Sequence, residues 1–139
     1  MPQEFSIGIV MYSGDEFLIM QYTAGHWGFV KGKPEGEETF EETARRELEE
    51  ETGIKVVFFA KDFKETEKYF FKRFRQTVYK EVNYLLGETP EIVMDIKLSK
   101  EHQGFKWLGF EEAMATLTFK ETKNVLKEAH DYMKLHGRI

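Results

Sequence analysis

The sequence contains no cysteine. Disulfides and thiol chemistry are therefore excluded, and any metal must take oxygen or imidazole ligands. Proline is scarce, at three residues of 139, which sets the chain apart from disordered and collagen-like sequences. No apolar run approaches the ~18 residues needed to cross a membrane. The N-terminal MPQEFSIGIV lacks the basic start and long apolar core of a secretion signal, so a cytoplasmic protein without a membrane partner is expected. Basic excess is also missing. The net charge of −5 argues against long nucleic acid as a partner, because phosphate-backbone binding needs a basic footprint. An acidic chain that handles an anion must supply positive charge locally, and a metal ion does so most compactly. With sulfur unavailable, Mg²⁺ or Mn²⁺ is the expected cofactor.

What is present describes a globular chain. It is 41% hydrophobic, 32% charged and 15% aromatic, enough to fill a core and leave rings for stacking on a ligand. Its length fits a single domain over residues 1–139, as a monomer or dimer. Residues 5–12 and 16–22 read as a hairpin joined by Ser13-Gly14-Asp15. A loop with Gly25, Gly28, Gly32 and Gly36 follows, where the backbone comes close to something. Thr39 with Glu42 forms a capping box that opens a helix over 40–52, and Gly53 closes it. Further strands are expected at 54–60, 69–74, 77–86 and 104–108, with a short helix at 111–117. A second capping box, Thr118 with Glu121, opens a long helix whose Thr122, Val125, Leu126, Ala129 and Met133 face inward. Alternating strands and helices imply an α/β fold with a mixed sheet sandwiched between helices.

The helix over 40–52 carries its acids in an unusual place. At ~100° per residue, Phe40, Ala44 and Leu48 form its apolar stripe, and Glu47 and Glu51 fall at the edge of that stripe and inside it. Glu50 lies beside Glu47, whereas Glu42, Arg45 and Glu49 point to solvent. Three carboxylates gathered on a partly buried face repel one another and lose hydration, which costs several kcal/mol unless cations compensate. A solvated acidic face with Arg45 and Arg46 as ion-pair partners is the bland alternative. Hard divalent cations are the functional one.

Residues 32–54 fit G-x5-E-x7-R-E-U-x-E-E-x-G-U, where U is a bulky aliphatic residue. Gly32, Glu38, Arg46, Glu47, Leu48, Glu50, Glu51, Gly53 and Ile54 fill its fixed positions. This pattern is the Nudix box, and the chain resembles the Nudix hydrolases, most of all the asymmetrical diadenosine tetraphosphate hydrolases. That narrower resemblance rests on His26-Trp27, Lys31-Gly32, Phe63-Lys64 and Tyr69. It rests further on Leu98-Ser99-Lys100-Glu101-His102-Gln103, Trp107-Leu108-Gly109 and Phe119-Lys120-Glu121. It implies the Nudix fold and metal-dependent hydrolysis of a phosphoanhydride in a nucleoside polyphosphate, diadenosine tetraphosphate giving ATP and AMP. By the same resemblance Arg46, Glu47, Glu50 and Glu51 are catalytic, with Glu38 supporting them. Glu47, Glu50, Glu51 and Glu101 hold metal; His26, Lys31 and Lys80 contact the phosphate chain; Tyr69 and Phe119 sandwich adenine.

The chain departs from the family in two places. Lys33-Pro34-Glu35-Gly36-Glu37-Glu38 stands where Glu-Pro-Gly-Glu is usual, and Val30 precedes Lys31 where proline is common. Both lie in the substrate-side loop and bear on substrate preference. Three other substrates stay open: an oxidised nucleoside triphosphate, ADP-ribose and a triphosphorylated RNA 5′ end. A catalytically silent nucleotide-binding module is the reading from another class, and the intact glutamate set opposes it.

Overall fold

The structure is a computed structural model that describes residues 1–139. Its elements run β1 (Gln3–Ser13), β2 (Glu16–Tyr22), β3 (Trp27–Gly28), β4 (Val30–Gly32), α1 (Phe40–Thr52), β5 (Phe58–Phe59) and β6 (Glu65–Arg73). They continue with β7 (Gln76–Glu88), β8 (His102–Leu108), α2 (Phe110–Thr116) and α3 (Lys120–Leu135). All strands join one mixed sheet. β1 lies at its centre, antiparallel to β2 and β4 and parallel to β7 from Gln3 opposite Tyr79 to Tyr12 opposite Glu88. β2 carries β3 and β8 on its far side, and β7 carries β5 and β6.

Side chains alternate along a strand, so the sheet builds one core on each face. Ile7, Ile9 and Met11 of β1, with Leu18 and Met20 of β2, pack against Ala44 and Leu48 of α1. Val10 and Tyr12, with Phe17 and Ile19, pack against Val125, Leu126, Ala129 and Met133 of α3. The inward stripe of α3 is the one its periodicity predicts. No helix is long and apolar enough to cross a membrane.

α1 begins and ends where its caps dictate. The Thr39 side chain accepts from the Glu42 N–H, the Glu42 side chain accepts from the Thr39 N–H, and Gly53 takes the left-handed φ of 83° that stops the helix. Four expectations change. The strand expected at 54–60 shrinks to Phe58–Phe59, because Ile54 and Val57 fold back into the core under α1. Phe40 turns outward at 40% exposure and Thr43 takes the inward position, burying its hydroxyl where Glu38 accepts its hydrogen bond. The second capping box does not form. Phe119 is the N-cap of α3, and Thr118 instead accepts from the Trp27 N–H at 2.8 Å while its own N–H donates to the Trp27 carbonyl. Finally, the glycine-rich loop contains the short strands β3 and β4, which fix its path against β2 and β1.

Candidate active site

The outer flank of α1 is organised by Arg46. Its Nε and Nη2 donate to the two oxygens of Glu38 at 2.8 and 3.0 Å, a bidentate pair. Nη1 donates to Glu47 Oε1 at 2.9 Å and to Glu50 at 3.3 Å, and Nη2 also reaches the Lys33 carbonyl. The Glu35 N–H and the Thr43 hydroxyl complete the shell of Glu38. Arg46 therefore drives the Glu38 carboxyl down to about 2, and the carboxylates around Arg46 raise its own pKa. The loop makes room for this arrangement at Gly32. A Cβ there would stand 2.0 Å from the carboxyl carbon of Glu47, so no larger residue fits without moving that carboxylate.

The inner flank is the opposite. Glu51 is 3% exposed, and neither of its oxygens receives a hydrogen bond. Its neighbour in bonding reach is the Glu47 carboxylate, another acceptor, with Glu101 and Glu50 also near. Burial and those three negative charges push the Glu51 carboxyl up to about 10. His102 Nε2 stands 3.5 Å from Glu51 Oε1 and is likewise unpartnered. Its Nδ1 faces the Ser99 hydroxyl at 3.4 Å, and burial lowers the ring to about 4, keeping it neutral. Carboxylates and imidazoles do not converge here in a group of three, because Arg46 engages Glu47 and Glu50. The buried, unpartnered oxygens of Glu51 nonetheless suit a hard divalent cation, which seeks oxygen donors and offsets their charge.

A pocket of about 610 Å³ opens beside this acidic wall. His26, Lys31, Tyr69 and Phe119 all line it. The Lys31 ammonium stands 5.9 Å over the Tyr69 ring, and the Phe119 ring lies 5.3 Å from that of His26. Burial lowers the pKa of Lys31, while Glu67, Glu51 and Glu101 pull it back up. His26 is lowered by burial and by Lys31. Tyr22 is the shared partition. Its ring stacks on His26 at 4.4 Å and packs against His102 at the same distance, and its hydroxyl donates to the Phe29 carbonyl.

The structure therefore gathers Arg46, Glu47, Glu50 and Glu51 along one helix, with Glu101 on the turn before β8, and groups four of the five expected substrate residues in one pocket. Lys80 is apart from that group. It is 7% exposed, its Nζ donates to the Ser6 hydroxyl and lies 3.8 Å from Glu4, and it does not line the pocket. Tyr22, Glu67 and Tyr84 do line it, and sequence reasoning missed them. A signal existed for Glu67, which precedes Tyr69 by two residues and so shares its strand face.

Comparison with known proteins bears on family and fold. The NUDIX domain profile matches residues 2–129. The mouse asymmetrical bis(5′-nucleosyl)-tetraphosphatase is 38% identical over 122 residues, covering 85% of this chain and 80% of that protein. A Caenorhabditis elegans Ap4A hydrolase, solved as a binary complex, superposes with a TM-score of 0.79 at 28% identity, covering 94% of this chain and 97% of that one. An Escherichia coli dihydroneopterin triphosphate pyrophosphohydrolase shares the fold, with a TM-score of 0.74 at 21% identity over 89% of this chain and 92% of that one. With the box residues, the profile and the mouse relative in agreement, the chain belongs to the Nudix family and is a Nudix hydrolase.

Proposed function

We propose that the chain cleaves diadenosine tetraphosphate asymmetrically into ATP and AMP with the help of Mg²⁺ or Mn²⁺. The observation that carries this reading is the junction of two unlike surfaces. A wall of acids with an unpartnered buried carboxylate meets an aromatic pocket across Tyr22, so one ligand with a base at one end and a phosphate chain at the other reaches both. The mouse relative is named for the asymmetrical reaction.

When bound, the divalent cation neutralises phosphoryl oxygens and activates water for attack. Glu47, Glu50, Glu51 and Glu101 are the residues that would hold it. The rest is assigned to the chain's own groups. Arg46 fixes Glu47 through its 2.9 Å bond, so one acid is oriented before substrate arrives. Lys31, which feels the charges of Glu51 and Glu101, and His26, stacked on Tyr22, bind phosphate oxygens. Lys80, anchored on Ser6, adds positive potential behind Lys31. Tyr69 and Phe119 stack on adenine, each contact contributing ~1–3 kcal/mol by analogy with single-strand binders.

Chromatography of the products tests this reading. ATP and AMP in equal amounts, formed with Mg²⁺ and abolished by EDTA, are expected. Two molecules of ADP would overturn the asymmetric assignment, and undiminished turnover in EDTA would overturn the metal assignment.

A further inference from the structure

The floor of the aromatic pocket carries a carboxylate that the reaction above does not use. Glu67 and Tyr69 leave the same face of β6 and both line the pocket. Glu67 is 7% exposed. The Tyr84 hydroxyl donates to its Oε2 at 3.0 Å and the Thr122 hydroxyl to its Oε1 at 3.4 Å, and both donors also line the pocket. These two bonds fix the plane of the carboxylate and leave each oxygen able to accept another donor. Leaving that capacity unused in a buried anion is costly. Glu121, the other acid lining the pocket, is exposed and can be hydrated instead.

We propose that Glu67 reads the nucleotide base in this pocket and selects guanine over adenine. The inference rests on the reading that a base stacks against Tyr69 and Phe119. A ring held there presents its edge to the floor. Guanine offers N1–H and its 2-amino group side by side, two donors for two carboxylate oxygens. Adenine offers its 6-amino group beside N1, whose lone pair meets the second oxygen and repels it. Hypoxanthine keeps N1–H and lacks the 2-amino group, so it falls between them. A matched two-point contact to a base edge is worth about tenfold or more in discrimination. Glu67→Gln exchanges one acceptor for an amide donor, which matches the amino and N1 pair of adenine. The hydroxyls of Tyr84 and Thr122 can rotate to accept from that amide, so the isosteric variant keeps its partners. The substrate class thereby widens from diadenosine tetraphosphate to dinucleoside tetraphosphates in general, those with guanine in this pocket being held more tightly than those with adenine.

Calorimetric titration of the full chain with GMP, IMP and AMP tests the inference without requiring turnover, and rates with diguanosine and diadenosine tetraphosphate accompany it. GMP is expected to bind about tenfold tighter than AMP, with IMP between, and Glu67→Gln is expected to bring AMP level with GMP or ahead of it. Equal affinities in the unaltered protein, absence of binding by all three, or an unchanged ranking in Glu67→Gln would each overturn base reading. So would a loss of GMP binding that follows removal of the ribose hydroxyls and not exchange of the base. If the ranking holds while no dinucleotide is cleaved, the base reader stands and the catalytic reading falls. If cleavage proceeds with no ranking, the outcome is reversed.

Discussion

The two flanks of α1 are built from the same residue type and have opposite energetics. On the outer flank every oxygen of Glu38 has a donor, supplied by Arg46, Thr43 and the Glu35 N–H. On the inner flank Glu51 is more deeply buried and has none. Arg46, the centre of the finished joint, and Glu51, the unfinished one, stand five residues apart on the same helix. The lesson is that glutamate count says little about a site. What distinguishes the inner flank is the absence of a protein partner for Glu51, the place the proposed cation would fill.

Removing the unfinished acid breaks the contrast most severely. Glu51→Gln is expected to lower the hydrolysis rate by ~10²–10³-fold while raising the stability of the metal-free protein by about 1 kcal/mol, because the amide removes the cost of holding a buried acid protonated among carboxylates. Steady-state rates and denaturant melts in EDTA check both halves, and loss of stability alongside loss of rate would contradict the assignment.

Crowding the finished flank should also cost activity. Gly32→Ala would place a Cβ 2.0 Å from the Glu47 carboxyl carbon. Displacing that group by about 1 Å is expected to reduce the rate by ~10²-fold with the fold retained, as judged by circular dichroism.

Acidity offers a third way to separate the flanks. Folding raises the Glu51 carboxyl to about 10, so between the ordinary carboxylate range and that value the folded state binds more protons than the unfolded. Its contribution to stability is present at low pH and falls as pH rises. His102 works in the other sense. Its folded pKa of about 4 lies below the ordinary imidazole value of 6.5, so its contribution is complete above pH 6.5 and is lost as pH falls. The two oppose each other up to about pH 6.5 and leave a net decline above it, at most ~1.4 kcal/mol per pH unit. Thermal melts of the metal-free protein should show that decline, and Mg²⁺ should flatten it. A stability that rises from pH 6.5 to 9 in EDTA would refute this account.

The smallest effect concerns the pocket rim. Thr118→Val removes the acceptor for the Trp27 N–H and is expected to cost about 1 kcal/mol and to raise KM more than it lowers kcat.

Short-range chemistry was the legible part of this protein. Thr39, Glu42 and Gly53 marked both ends of α1 because a cap is settled within a few residues of itself, and the inward stripe of α3 followed from its period. The box placed Arg46, Glu47, Glu50 and Glu51 on one helix for the same reason. Lys80 was harder, since its burial depends on β7 lying beside β1 and bringing Ser6 and Glu4 to it. Thr118 looked like a cap until Trp27, 91 residues away, claimed its hydroxyl. Tyr22, Glu67 and Tyr84 share the pocket only once β2, β6 and β7 are in register, and that information is not local.

The sheet has a single parallel seam, where β1 lies beside β7. Gln3 meets Tyr79 there, so β1 waits for a strand made some 76 residues later before this edge is covered. Ribosome-bound intermediates that end before Gln76 carry a central strand with open backbone groups, and such contacts of long sequence separation set a slow pace for folding. The seam makes β1 a closing element of the sheet, although it is made before every strand that flanks it.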